Sequence, residues 1–318
     1  MQELQESIFC ASSIVECKYS SFLCLIINLN STDETLKKFP RTQELPKLCG
    51  RFQDATNKES HTRNQILQAQ LRLAHIKGGE EEIRQHCAEY MDVFKLPGDK
   101  LTAKSAITHY IPTPSIPAHR ALTLWNYRIP EHHQKEVEIQ IQKMLENDII
   151  QTSQSPWNFP ILIVPKKVDA SGKRKWRIFV DFRRLNDITV GDSFTLPNIQ
   201  DIFDKLRGAQ YFSALDCASG YWQAPLAEEE RAKTAFTTLT GQYEYFRMPF
   251  GLKSAPSTFQ RLMNGVFMGL IGTRCFVYLD DVIIFGETLQ EHHARLREVF
   301  QKLRQFNLKI EPDKCEFF

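Results

Sequence analysis

The sequence lacks the features that mark zinc, secreted or membrane proteins. Its eight cysteines (Cys10, Cys17, Cys24, Cys49, Cys87, Cys217, Cys275 and Cys315) include no Cys-x-x-Cys, and no His pair lies beside them at zinc spacing. This excludes the common zinc modules and points to a reducing interior. The apolar run 22–29 is far too short to span a membrane, and the acidic opening Met1-Gln2-Glu3-Leu4-Gln5-Glu6 is unlike a signal peptide. An excess of one charge is missing as well: 40 Lys and Arg oppose 38 Asp and Glu, so the whole chain is not a polycation. What remains is a globular composition, 42% hydrophobic and 25% charged, over 318 residues. That length holds one large or two modest domains.

Charge is concentrated locally. Lys166, Lys167, Lys173, Arg174, Lys175, Arg177, Arg183 and Arg184 crowd one segment, opposed only by Asp169 and Asp181. Such a cluster suits polyphosphate or a nucleic-acid backbone; it also reads as a solvated basic hairpin.

The most informative residues are Tyr278-Leu279-Asp280-Asp281. They lie between the apolar runs Cys275-Phe276-Val277 and Val282-Ile283-Ile284-Phe285, a hairpin pattern. Adjacent carboxylates at a hairpin tip repel each other unless a cation sits there, and oxygen-only ligands suit Mg²⁺ or Mn²⁺; a polar Asp-Asp turn is the alternative. Upstream, the strand-like Tyr211-Phe212-Ser213-Ala214-Leu215 ends at Asp216, followed by small residues and Gly220. If the two strands are neighbours, Asp216, Asp280 and Asp281 can hold two metal ions about 3.5–4 Å apart, the arrangement of in-line phosphoryl transfer. Otherwise Asp216 caps the next turn.

Three segments in order, Leu215-Asp216 with Ser219-Gly220-Tyr221, then Met248-Pro249-Phe250-Gly251-Leu252-Lys253-Ser254-Ala255-Pro256, then Tyr278-Leu279-Asp280-Asp281, closely resemble reverse transcriptases of gypsy-type LTR retrotransposons. The resemblance runs from about Ser153 to Phe318, and more weakly back to about Ile83. It implies an α+β right-hand polymerase fold, with fingers and an antiparallel palm sheet backed by helices. It implies RNA-directed DNA polymerase activity with two Mg²⁺ or Mn²⁺ ions. Asp216 and Asp280 then bind both metals and Asp281 is the third, less direct carboxylate. Lys167 and Arg177 correspond to fingers residues that grip the triphosphate; Lys166 competes for the first role, and a cross-strand salt bridge for Arg177. Tyr221 corresponds to the aromatic under the sugar that rejects a 2′-hydroxyl. Phe250 and Gly251 correspond to the lining of the nucleotide pocket, Gly251 by permitting close backbone approach. Tyr221 and Phe250 also read as core. Gln223, Lys253 and Gln260 are expected template or primer contacts. The implied partners are dNTP and an RNA or DNA template with primer, without a membrane, in a cytoplasmic virus-like particle or the nucleus.

The rest of the chain is organised around that region. Residues 1–110 resemble a protease-to-polymerase linker, with a strand near 22–27, a loop over 37–50, a helix from about Arg63 and another over 80–94 ended by Pro97-Gly98. The prolines Pro112, Pro114, Pro117 and Pro130 mark a connector over 111–130. Residues 131–318 carry fingers and palm: a helix opened by Pro130, a hairpin over 161–180, and helices from about Pro197, Ala255 and Leu289. Family members continue past Phe318 into a thumb and usually a ribonuclease H domain, and no Asp-Ser-Gly or Asp-Thr-Gly protease signature or integrase zinc module occurs here. The chain therefore reads as a Pol polyprotein fragment truncated before the thumb. The rival reading is a catalytically silent retroelement-derived protein that only binds nucleic acid or a partner.

Overall fold

The computed structural model describes residues 55–73, 79–101, 107–115, 121–165 and 176–317. The chain forms two units, Met1–His61 and Thr62–Phe318. Of the first, only residues 55–61 are described, as the start of a helix; the expected strand near 22–27 and the loop over 37–50 lie outside the described residues.

Helix α1 (Ala55–Gln70) starts earlier than the apolar pattern from Arg63 suggests, and it buries Leu67. The two-residue strand β1 (Arg72–Leu73) follows. Helix α2 (Glu80–Glu89) carries three acids, Glu80, Glu81 and Glu82, in its first turn, where the helix dipole favours them, and buries Ile83 and Cys87. It gives way at Tyr90 to a 3₁₀ turn, Met91–Val93, short of the expected 94. Helix α3 (Glu131–Glu146) opens after Pro130 and buries Val137, Ile141 and Met144 at helical spacing. Strand β2 (Ile150–Thr152) leads to the hairpin β3 (Ile161–Pro165) and β4 (Trp176–Val180), paired antiparallel from Ile161↔Val180 to Pro165↔Trp176. Helices α4 (Arg183–Ile188) and α5 (Ile199–Lys205) come next; the Asn198 side chain caps α5 by accepting from the Gln200 N–H. Strand β5 (Tyr211–Asp216), helix α6 (Glu228–Arg231) and the pair β6 (Phe236–Thr238) and β7 (Gly241–Tyr245) follow. Helix α7 (Ala255–Val266) starts at the expected Ala255 and stops at Phe267. Strands β8 (Cys275–Tyr278) and β9 (Asp281–Gly286), helix α8 (Leu289–Gln305) and strand β10 (Glu316–Phe317) complete the chain.

These strands make three sheets. The largest has the order β1-β10-β5-β9-β8, antiparallel except for the parallel pair β1–β10. Helix α8 packs on β9 and β5, and α7 on β8. Phe159, Phe236, Phe259, Phe267, Phe300 and Phe317 are fully buried in the core they share. This is the α+β arrangement expected of a palm, and β3–β4 is the expected fingers hairpin.

The stretch expected as a connector, 111–130, meets neighbouring elements at several points. The compact unit starts at Thr62, so the proline stretch lies within it. Ile111 is fully buried, and its carbonyl accepts from the Lys233 ammonium at 3.0 Å. The Val190 N–H donates to the Pro112 carbonyl at 2.8 Å, and the Leu124 N–H to the Asn158 carbonyl at 2.8 Å. Proline density marks an extended backbone; neighbouring elements satisfy the carbonyls of Ile111, Pro112, Leu122 and Leu124 and bury Ile111, while Trp125 and Tyr127 stand exposed.

Candidate active site

The site is built on the centre of the largest sheet. β5 and β9 run antiparallel with Leu215 opposite Val282 and Asp216 opposite Asp281, while Tyr278 opposes Asp281 across β8–β9. Directly opposed residues project to the same face of a sheet, so the register brings the Asp216 and Asp281 carboxylates together. Asp280 occupies the two-residue turn with Leu279, and its carbonyl accepts from the Cys217 N–H at 2.9 Å, tying the turn to the end of β5. Gly220 lets the turn after Asp216 approach closely: a Cβ there would stand 2.9 Å from Phe259 Cζ and 3.3 Å from Asp280 Cβ.

Burial and mutual repulsion set the electrostatics. The Asp281 carboxyl is pushed up to about 8, first by burial and then by the charges of Asp280 and Asp216. Asp216 is also raised, by burial, against the opposing pull of Lys314. The Lys314 Nζ donates to Asp216 Oδ1 at 3.0 Å; burial lowers its pKa, but Asp216 more than offsets this and holds it above the ordinary lysine value. Lys314 thus supplies positive charge at the carboxylate centre. Sequence reasoning missed it, because nothing in Pro312-Asp313-Lys314 signals contact with a residue far upstream.

The residues expected on the nucleotide side are partly described. Tyr221, in the 3₁₀ turn Gly220–Gln223, packs its ring 5.0 Å from Phe250 in a tilted pair and 5.6 Å from Phe259 edge-to-face. Gly251 has φ +92°, so left-handed backbone favours glycine there; a Cβ would meet nothing nearer than Phe182 at 3.7 Å, an ordinary contact. The Asn186 amide donates to the Gly251 carbonyl at 2.8 Å and its oxygen accepts from the Lys253 N–H at 2.8 Å, linking α4 to this loop. Arg177 sits opposite Val164 on the β3–β4 hairpin, its guanidinium 5.7 Å from the Phe179 ring. Lys166 and Lys167 lie outside the described residues.

Two expected template contacts are corrected. Gln223 and Gln260 are both fully buried. The Gln223 amide donates to the carbonyls of Ala218 at 2.9 Å and Lys309 at 2.8 Å, and its oxygen accepts from the Lys309 N–H at 2.8 Å. Gln260 serves the turn that carries Asp280, accepting from the Leu279 N–H at 2.7 Å. Both spend their polar atoms on partners inside the protein, mostly backbone; Lys253 alone of the three is exposed.

Residues 164–318 match the family model described as reverse transcriptase (RNA-dependent DNA polymerase). Residues 164–318 belong to the reverse transcriptase family. The retrovirus-related Pol polyprotein from transposon 297 of Drosophila melanogaster is 43% identical over 251 residues, 78% of this chain and 23% of that protein. The one from transposon 412 of the same species is 35% identical over 323 residues, 100% of this chain and 25% of that protein. The chain thus spans about a quarter of the length of these curated relatives. Among solved structures, the foamy viral protease-reverse transcriptase in complex with RNA/DNA hybrid superposes with a TM-score of 0.68 at 19% identity, covering 86% of this chain and 35% of that one. The reverse transcriptase fold therefore reaches well upstream of the matched segment.

A divalent cation fits the donor set of this reverse transcriptase domain. Among the described residues no group of three or more His, Cys, Asp or Glu side chains is arranged around one ion position. Yet burial first, and the charges of Asp280 and Asp216 after it, hold the Asp281 carboxyl raised, and carboxylate oxygens are what hard divalent cations take. A cation there would favour the ionised form of Asp281 against both burial and the neighbouring carboxylates.

Proposed function

We propose that the chain is the fingers-and-palm part of a retrotransposon RNA-directed DNA polymerase, joining a dNTP to a primer 3′-hydroxyl on an RNA or DNA template. The observation that carries this reading is the register of β5 against β9, with Asp216 opposite Asp281 and Asp280 in the adjoining turn. Asp216 and Asp280 would hold two Mg²⁺ or Mn²⁺ ions, with Asp281 as the less direct third carboxylate. Bound there, the metals would lower the pKa of the attacking hydroxyl and stabilise charge on the phosphate oxygens.

The protein's own groups orient and exclude. Tyr221, packed against Phe250 at 5.0 Å, blocks a 2′-hydroxyl by bulk. The peptide of Gly251, free of a Cβ, lines the pocket near base and sugar. Arg177 and Lys167 bind triphosphate oxygens with charge-assisted hydrogen bonds. The template–primer duplex is held by backbone and shape, so binding weakens steeply with salt. The remaining Pol domains share the parent polyprotein, and the reaction runs in a cytoplasmic virus-like particle or the nucleus.

The test is primer extension by the purified chain with an RNA template, a DNA primer, dNTPs and Mg²⁺ or Mn²⁺. Extension that disappears in Asp280→Asn is the expected result. Equal extension by a folded Asp280→Asn protein would sink the assignment.

A further inference from the structure

Gln260 is a buried polar side chain with no part in the chemistry, yet it touches the backbone of the catalytic hairpin. It lies on α7, fully buried, and uses both ends of its amide. Its Oε1 accepts from the Leu279 N–H at 2.7 Å; its Nε2 donates to the Val277 carbonyl at 3.2 Å and to Asn264 Oδ1 at 2.9 Å. The two backbone contacts bracket Tyr278, so one side chain grips both the end of β8 and the first turn residue.

That turn residue needs holding. Leu279 has φ +54°, left-handed backbone that a non-glycine residue adopts at a steric cost. Such a conformation persists only where its surroundings over-determine it. Here the Leu279 side chain is fully buried, its N–H is taken by Gln260, and the next carbonyl, that of Asp280, is held by the Cys217 N–H. Without Gln260 the buried Leu279 N–H would lose its acceptor, and the turn would be free to relax toward right-handed backbone. Such relaxation rotates the peptide that carries Asp280 and alters its relation to Asp216.

We propose that Gln260 is a positioning residue of the carboxylate centre. It locks the Leu279 turn in left-handed geometry and so sets the spacing of Asp280 and Asp281 against Asp216. The inference deepens the polymerase reading and rests on it for the catalytic readout; the metal readout is independent of turnover.

The experiment compares wild type, Gln260→Met and Gln260→Asn in the full 318-residue chain. Methionine keeps the length and removes both hydrogen-bonding groups; asparagine stays polar but is one methylene too short to reach Leu279, and it serves if the methionine variant does not fold. Mn²⁺ affinity is read from the electron paramagnetic resonance of free Mn²⁺, with Asp280→Asn as the blank. Affinity for an RNA/DNA hybrid and kcat and KM for dNTP incorporation are measured beside it. The expected result is a loss of about tenfold in Mn²⁺ affinity and in kcat, the size of one unmade buried hydrogen bond, with hybrid affinity and KM within about twofold of wild type. In a Leu279→Gly background, where left-handed backbone carries no steric cost, Gln260→Met should lose less than half as much. Unchanged Mn²⁺ affinity and kcat in a folded variant, or equal losses in both backgrounds, would overturn the role. So would weakened hybrid binding with intact Mn²⁺ affinity, the signature of a template contact. A wild-type chain with no Mn²⁺ site sensitive to Asp280→Asn would overturn the carboxylate reading itself, a distinguishable failure.

Discussion

Asp216 and Asp281 face each other across β5 and β9 at the last pair of the ladder, where the sheet ends. A cross-strand pair of like charges is destabilising when both are ionised. The protein tolerates it by keeping Asp281 protonated, its carboxyl pushed up to about 8 by burial and by Asp280 and Asp216.

A pH dependence follows. An aspartate in the unfolded chain titrates near about 4. Between there and about 8 the folded chain keeps a proton on Asp281 that the unfolded chain has released. This contribution to stability is therefore fully present below the unfolded value and is lost as pH rises through the folded one. The metal-free protein should melt at progressively lower temperature as pH rises across that window. Asp281→Asn should flatten the profile, and Mg²⁺ or Mn²⁺ should raise the melting temperature more at the alkaline end. A metal-free profile identical in wild type and Asp281→Asn would contradict the coupling.

Lys314 should act against metal binding at the same centre. Its Nζ lies 3.0 Å from Asp216 Oδ1, but the two side chains remain 57% and 23% exposed, so the pair contributes at most about 1 kcal/mol. Lys314→Met should therefore cost little stability. Removing a positive charge beside the carboxylates should strengthen Mn²⁺ binding a few-fold, measured by titration at low ionic strength, where screening is weakest. Weaker Mn²⁺ binding in a folded Lys314→Met protein would show that Lys314 organises Asp216 instead of competing for it.

The site was legible in sequence wherever local pattern and chemistry coincided. The short apolar, β-branched and aromatic runs of β8 and β9 flank Asp280 as a hairpin pattern, and Asp216 ends a strand-like run, so their approach needed only adjacency of two strands. Features set by tertiary placement were not legible. Gln260 sits between Phe259 and the apolar Leu262 and Met263, where a lone polar residue reads as solvent-facing; only the approach of the Leu279 N–H explains its burial. The two-residue strands β1 and β10 are too short to carry a period, and their parallel pairing joins residues of opposite ends of the sequence. The contact between Lys314 and Asp216 spans 98 positions, with no local trace.

Sugar discrimination should depend on the Tyr221 ring. It packs against Phe250 at 5.0 Å and Phe259 at 5.6 Å, which fixes its position. Tyr221→Ala should raise the ratio of ribonucleotide to deoxyribonucleotide incorporation by about tenfold or more, the scale of steric discrimination in a packed pocket. Tyr221→Phe keeps the bulk and should leave the ratio near wild type. An unchanged ratio in Tyr221→Ala, measured as relative kcat/KM, would reduce the residue to core packing.

The sharpest geometric prediction concerns Gly220, whose φ is not left-handed, so strain in the backbone plays no part. Space alone requires glycine. A methyl group there would meet Phe259 Cζ at 2.9 Å and Asp280 Cβ at 3.3 Å. Phe259 is fully buried and cannot swing away, so the clash must be relieved by moving the turn after Asp216 or the turn that carries Asp280. Gly220→Ala should therefore cost about 1–3 kcal/mol of stability, the range for overpacking a filled core, read from the denaturant midpoint. It should also depress incorporation beyond what the lost stability explains, because either movement separates Asp280 from Asp216. A variant that is destabilised but retains full turnover when folded would show that the carboxylate spacing tolerates the displacement.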